Sequence, residues 1–164
     1  RDGDIVDVDG TSPLNMDGNA SGNYFISIRH RNHIGARSST TLGLAKTTAG
    51  NYDFTNELNK TFKGNITHNP LATLSTGVFG LWAGNANNDG FVKMTGIATG
   101  NNDYLKILNT LGSSIAIQTS VYSNQDLNLD GNVQMTGSTA DNNDYLRLLN
   151  TLGSSTSILT QPGF

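Results

Sequence analysis

Asn85-Ala86-Asn87-Asn88-Asp89-Gly90-Phe91-Val92 and Asp126-Leu127-Asn128-Leu129-Asp130-Gly131-Asn132-Val133 are two versions of one loop. Each places a short oxygen-bearing side chain at its first, third and fifth positions. A glycine stands at the sixth and a valine at the eighth. Oxygens on alternate residues of a tight turn converge on one point, and a glycine at position six permits the bend. This spacing suits a hard cation, and Ca2+ is the expected cofactor at two sites. The expected ligands are Asn85, Asn87, Asp89 and Phe91 in the first loop, with Asp126, Asn128, Asp130 and Asn132 in the second.

The loops belong to a tandem repeat with a period of 41 residues, Asn85 to Asp126. About two thirds of the aligned positions between 85–114 and 126–155 are identical, so the two copies are expected to share one core. After each loop comes a glycine-containing excursion, then Asn-Asn-Asp, then a leucine-rich segment ending in Gly112 or Gly153. That pattern predicts a short helix, capped by Asn102 or Asp103 and by their counterparts in the second copy, and closed by a left-handed glycine. Tyr104, Leu105, Leu108 and Leu111 are expected on its buried stripe, as are Tyr145, Leu146, Leu149 and Leu152. A helix of this length is marginal alone.

A standard EF-hand loop ends in a bidentate Glu at position twelve. Here that position is Gly96 or Gly137. The closing carboxylate is therefore expected later, from Asp103 or Asp144. The intervening Asn101 and Asn142 either loop out or add ligands. The first loop leads with Asn85 where the second has Asp126, so the second site is expected to be the tighter.

The rest of the 164-residue chain is glycine-rich and only 35% hydrophobic, without cysteine. Of its 13 acidic residues only Glu57 is a glutamate. Asp, Asn and Gly favour turns over helices. The N-terminal part is expected to hold four or five strands in a partial antiparallel β-sandwich. They comprise residues 4–9, an alternating strand at 23–31, a segment at 35–45, a short strand near 52–54 and the apolar run 77–82. Residues 1–82 thus form one expected domain and 83–164 a second. A strand so near the chain start suggests a sheet completed by another chain or by a missing segment. The apolar segment 157–160 is a candidate donor strand, although a tail folded onto its own domain is the more ordinary outcome. In Arg29-His30-Arg31-Asn32-His33 the histidines could bind zinc or the arginines an anionic glycan, but without a third ligand or a nearby Glu the segment reads as a solvated polar face. Asp9-Gly10 reads as a turn.

Residues 85–153 resemble dockerin-type calcium repeats, which are also duplicated loop–helix units. The stretches 1–10, 22–35 and 81–90 resemble the C-terminal regions of large secreted, hemagglutinin-like surface proteins of Bacteroidetes-type bacteria. The insertion before Asp103 and Asp144 departs from cellulosomal dockerins, so cohesin binding does not carry over. The resemblance implies a secreted, cell-surface calcium-binding structural module, part of an adhesin; the incomplete-looking first sheet suggests instead the subunit of a filament built by strand exchange. Its expected partners are further copies of itself or another surface protein. A glycan- or protein-binding module using Tyr24, Tyr52, Trp82 or Tyr122 is the alternative. No catalytic motif is present. The net charge of −3 does not suggest nucleic acid, and no apolar run is long enough to span a membrane.

Overall fold

A computed structural model describes residues 9, 11–12, 20–45 and 50–163. The expected strand at 4–9 lies outside these residues except for Asp9, whose carboxylate accepts the Thr11 and Ser12 N–H groups in a turn. The described chain is mainly β with two small helices. Its strands are β1 (Gly22–Tyr24), β2 (Ser27–Ile28), β3 (Ala36–Arg37), β4 (Leu42–Leu44), β5 (Ala72–Ser75), β6 (Val78–Gly80), β7 (Phe91–Lys93), β8 (Ile117–Gln118), β9 (Val133–Gln134) and β10 (Ile158–Thr160). Its helices are α1 (Asp103–Leu111) and α2 (Asp144–Leu152). All sheets are two-stranded and antiparallel: β1–β4, β2–β3, β5–β6, β7–β10 and β8–β9.

The alternation expected over 23–31 is present, with Tyr24, Ile26 and Ile28 half-buried and Ser27 and Arg29 exposed. Its pairing is interrupted. β1 pairs in one register with β4, and β2 in another with β3. Ser38 stands at the change. Its N–H donates to the Ile26 carbonyl, and its hydroxyl accepts the Ile26 N–H at 3.0 Å. A side chain thus replaces one ladder bond, and one long strand becomes two short ones. Residues 52–54 form no strand, yet Tyr52 and Phe54 pack with Ala36, Leu71, Ile28 and Phe79 in a small hydrophobic cluster.

The larger core belongs to the repeats. Equivalent residues of the two copies are buried together: Ala86 with Leu127, Val92 with Val133, and Ile107 with Leu148. Ile34 from the N-terminal part joins this core, and its N–H donates to the Trp82 carbonyl at 2.8 Å. The strands between the copies are exchanged. β10, after the second helix, pairs with β7 of the first loop. β8, after the first helix, pairs with β9 of the second. Each copy thus closes the other, which explains how two nine-residue helices hold together. The segment at 157–160 is folded onto its own chain through β10.

The helices are rotated from the expected stripe. Asp103 and Ile107 are buried in α1, and Asp144, Leu148 and Leu152 in α2. Tyr104 and Leu111 flank the core, whereas Leu105 and Leu108 lie outside it. The physical reason is the aspartate at the first helical position. Its carboxylate must face inward to receive backbone N–H groups, and the residues four and eight later share that face.

Candidate metal centres

Both loops adopt the same backbone. Positions four and six have positive φ: Asn88 (58°) and Gly90 (83°) in the first, Leu129 (63°) and Gly131 (86°) in the second. The two left-handed residues turn the first and third side chains toward a common point. Asn85 Oδ1 and Asn87 Oδ1 both accept the Asp89 N–H, at 3.0 and 3.2 Å. Asp126 Oδ1 and Asn128 Oδ1 accept the Asp130 N–H at 3.1 and 3.2 Å. Asp89 and Asp130 each accept the N–H two residues on, from Phe91 and Asn132. They also accept the side-chain amides of Asn87 and Asn128.

The displaced carboxylates close the loops. Asp103 Oδ1 accepts the Asn87 N–H and its Oδ2 the Lys93 N–H, at 3.3 and 2.8 Å. Asp144 Oδ1 accepts Leu127 N–H at 2.6 Å and Asn128 N–H at 3.3 Å, and its Oδ2 accepts Gln134 N–H at 2.8 Å. Each aspartate therefore fastens a loop to the strand that follows it. Both are wholly buried. Desolvation raises the Asp103 carboxyl to about 7 and that of Asp144 to about 6, against the pull of these N–H donors. Repulsion from Asp89 and Asp126 adds to the rise. A buried carboxylate among other carboxylates is the environment that a bound cation relieves.

Helix capping falls to the preceding residue alone. Asn102 accepts the Leu105 N–H and donates to the Met94 and Gly96 carbonyls. Asn143 does the same with Leu146, Met135 and Gly137. Gly112 and Gly153 close the helices in the left-handed conformation, with φ of 74° and 69°. Asn101 and Asn142 bond within the inserted excursions. Asn101 accepts the Ala98 N–H, and Asn142 accepts the Thr139 N–H and hydroxyl. They brace the inserted excursions, where a Cβ on Gly96 or Gly137 would collide with them.

Among the described residues, no three His, Cys, Asp or Glu side chains gather as a metal site by themselves. The loops instead mix carboxylates with Asn oxygens. The first and third oxygens of each loop share one N–H, and the closing carboxylate takes another from the same loop, an oxygen-rich donor set of the type a hard cation takes.

The segment 29–33 is no solvated face. Asn32 is completely buried. Its carbonyl accepts the Gly84 and Asn85 N–H groups at the mouth of the first loop, and its Nδ2 donates to the Asp126 carbonyl at 2.6 Å. Beside it, Arg31 bonds Asp126 Oδ2 at 3.1 Å and the Ser123 carbonyl at 3.0 Å, and lies over the Tyr122 ring. One turn of the N-terminal part therefore ties both loops together. The arginine also balances the carboxylate by which the second loop exceeds the first. Position alone did not reveal this partner, which lies 95 residues away in the chain.

Of the four aromatic residues considered for glycan stacking, three spend their polar atoms within the chain, while Tyr122 is exposed with Arg31 over its ring. The Trp82 indole donates to the Asn69 carbonyl, the Tyr52 hydroxyl to Lys60 and the Tyr24 hydroxyl to Ala20. No protein-family model, curated protein or solved structure matches the chain.

Proposed function

We propose that this chain is a non-enzymatic, secreted calcium-binding structural module of the cell surface, built as a dockerin-like pair of loop–helix units beside a partial β-sandwich. The observation that carries the reading is the repeated burial of Asp103 and Asp144. Each is held against a loop with positive φ at positions four and six, and each has a carboxyl raised by desolvation. Backbone N–H groups account for the fastening, and a cation would offset the desolvation cost that they leave. In this reading Asn85, Asn87, Asp89, Asp103 and the Phe91 carbonyl hold one ion. Asp126, Asn128, Asp130, Asp144 and the Asn132 carbonyl hold the other.

Calcium would join the loops to the core in a chain that has no cysteine. A site occupied at one hundred times its Kd adds about 2.7 kcal/mol to stability. For a protein whose whole stability is on the order of 5–15 kcal/mol, that is a large share. Thermal melting in millimolar calcium and in excess chelator tests the proposal. The expected outcome is a lower melting temperature in chelator; equal temperatures would refute it.

Assembly with further copies or with another surface protein remains part of the proposal. Every described sheet has only two strands, so each strand keeps one edge without a ladder partner within its sheet, and such edges accept added strands. β10 is already paired with β7 in its own chain, and residues 60–62 bond along β3 while Thr55 bonds β6, so the edges of the β1–β4 sheet are the better candidates for exchange. Light scattering in calcium distinguishes discrete monomers from elongated assemblies. No helix among the described residues is long and apolar enough to cross a membrane.

A further inference from the structure

The turn that ties the loops together carries a second, chemically different cluster. His30 Nδ1 lies 2.8 Å from His33 Nδ1 and 3.0 Å from Asn32 Oδ1, and His33 Nδ1 lies 2.8 Å from the same oxygen. Three polar atoms thus form a nearly equilateral triangle. The orientation of the Asn32 amide is set independently, because its Nδ2 donates to the Asp126 carbonyl on the other side. Its oxygen must therefore face the imidazoles.

Hydrogen bonds cannot satisfy this triangle. The amide oxygen only accepts, and each Nδ1 either carries one proton or offers one lone pair. With both nitrogens protonated, two donors face each other. With one protonated, the other nitrogen sets its lone pair against the amide oxygen. With neither protonated, three lone pairs converge. Every proton arrangement leaves at least one repulsive edge at hydrogen-bond distance. A cation over the face of the triangle turns all three edges into shared coordination.

The distances indicate which cation. Ligands about 2.0–2.1 Å from a metal lie about 2.8–3.0 Å apart on a face of an octahedron, and about 3.3–3.4 Å apart in a tetrahedron. The observed edges match the octahedral face. Imidazole nitrogens suit first-row transition ions such as zinc, nickel and cobalt rather than calcium. From this geometry we infer that His30, Asn32 and His33 form a facial three-ligand site for a divalent transition-metal ion, separate from the calcium loops. Water would fill the other positions.

The surroundings permit a dication. Arg31 and Arg147 are the cationic side chains felt at His33 besides His30. Each is met by a carboxylate, Arg31 by Asp126 at 3.1 Å and Arg147 by Asp141 at 3.0 Å. Both histidines are partly exposed, which leaves a path for the ion, while Asn32 is buried beneath them. An ion here would stiffen the same turn that holds Asn85 and Asp126. The site would then link transition-metal binding to the geometry of both loops.

The test is isothermal titration of the calcium-saturated chain with Ni2+. The expected result is one equivalent bound, weakened at least tenfold in His30→Gln and unchanged in His68→Gln, which alters the one other histidine. Unaltered calcium binding by His30→Gln would show that the fold is kept. No nickel binding by the native chain, or equal binding by His30→Gln, would overturn the inference. Proton NMR of the native chain during the same titration needs no variant. Shifts centred on the His30 and His33 rings support the site, and shifts centred on His68 refute it.

Discussion

The two loops differ where their chemistry begins. The first leads with Asn85 and the second with Asp126, both completely buried at the same point of the fold. Counted along the chain, the second loop carries one more negative charge. Counted in space, Arg31 cancels it, since its guanidinium sits 3.1 Å from Asp126. Each loop then confronts an ion with a similar net charge: Asp89 and Asp103 in one, and Asp126, Asp130 and Asp144 less Arg31 in the other. The copies also differ in how firmly they are closed. Asp103 takes the Asn87 and Lys93 N–H groups with a weaker pull from that of Ala86, whereas Asp144 takes all three equivalents, with the Leu127 N–H held at 2.6 Å. A repeat that is close to symmetric in sequence is thus equalised in charge and unequal in fastening.

The largest expected effect breaks the fastening. Asp144→Ala strands the Leu127, Asn128 and Gln134 donors, the first of them buried, and Asp103→Ala strands the part-buried Asn87 and Lys93 donors and the weaker Ala86 contact. At about 1–3 kcal/mol for each unsatisfied group, both variants lose several kcal/mol of stability, and Asp144→Ala loses more. Urea unfolding in calcium reads the difference, and the reverse ranking would overturn the account of closure. Arg31→Met should separate the two sites. Removing the guanidinium leaves Asp126 free to attract calcium, and the second site is expected to tighten about tenfold relative to the first, about 1.4 kcal/mol. Two affinities that stay together in calorimetry would show that Arg31 does not equalise them.

Acid response separates the apo chain from the calcium-bound one. Asp103 and Asp144 are raised in the folded state to about 7 and about 6 from 3.8. Their contribution is complete below the unfolded value and is lost as pH rises through the folded one. His33, depressed from 6.5 to about 4 by burial and neighbouring cations, acts the opposite way, losing its contribution as pH falls from 6.5 through 4. Two carboxylates outweigh one imidazole. In chelator, the melting temperature should therefore fall as pH rises from about 4 to 7. Calcium should reverse that trend, because it binds the ionised carboxylates. A flat profile in chelator would contradict the burial argument. The smallest effect concerns position four. Leu129 holds φ of 63° where Asn88 holds 58°, and a left-handed conformation costs most residues about 1–2 kcal/mol but Asn less. Leu129→Asn should stabilise by roughly 1 kcal/mol, and Asn88→Leu should destabilise by a similar amount. Thermal melts of the reciprocal pair would show whether the loops share one strain.

Much of the repeat was legible because its signals are local. Glycine at position six, asparagine before the helix and glycine after it each act within a few residues, so spacing alone placed the turn, the cap and the helix end. The helix face was not legible. Leucine periodicity favoured Leu105 and Leu108, but the inward aspartate sets the rotation and buries Ile107 and Leu148. In the N-terminal part, the alternation of residues 23–31 was correct, while the change of pairing at Ser38 depends on a hydroxyl from a later segment. The least legible feature was the turn at 29–33, whose polar residues resemble a wet surface until their partners are known.

By itself, the sequence determined a duplicated loop–helix unit, its caps, its mainly β surroundings and the oxygen-bearing positions of each loop. These follow from backbone preferences and short-range hydrogen bonds. The tertiary structure alone decided that each copy closes the other through exchanged strands, that Arg31 balances Asp126, and that His30, Asn32 and His33 converge. Those facts depend on contacts between distant segments, or on the tight turn those contacts hold in place. One-dimensional spacing carries no record of them.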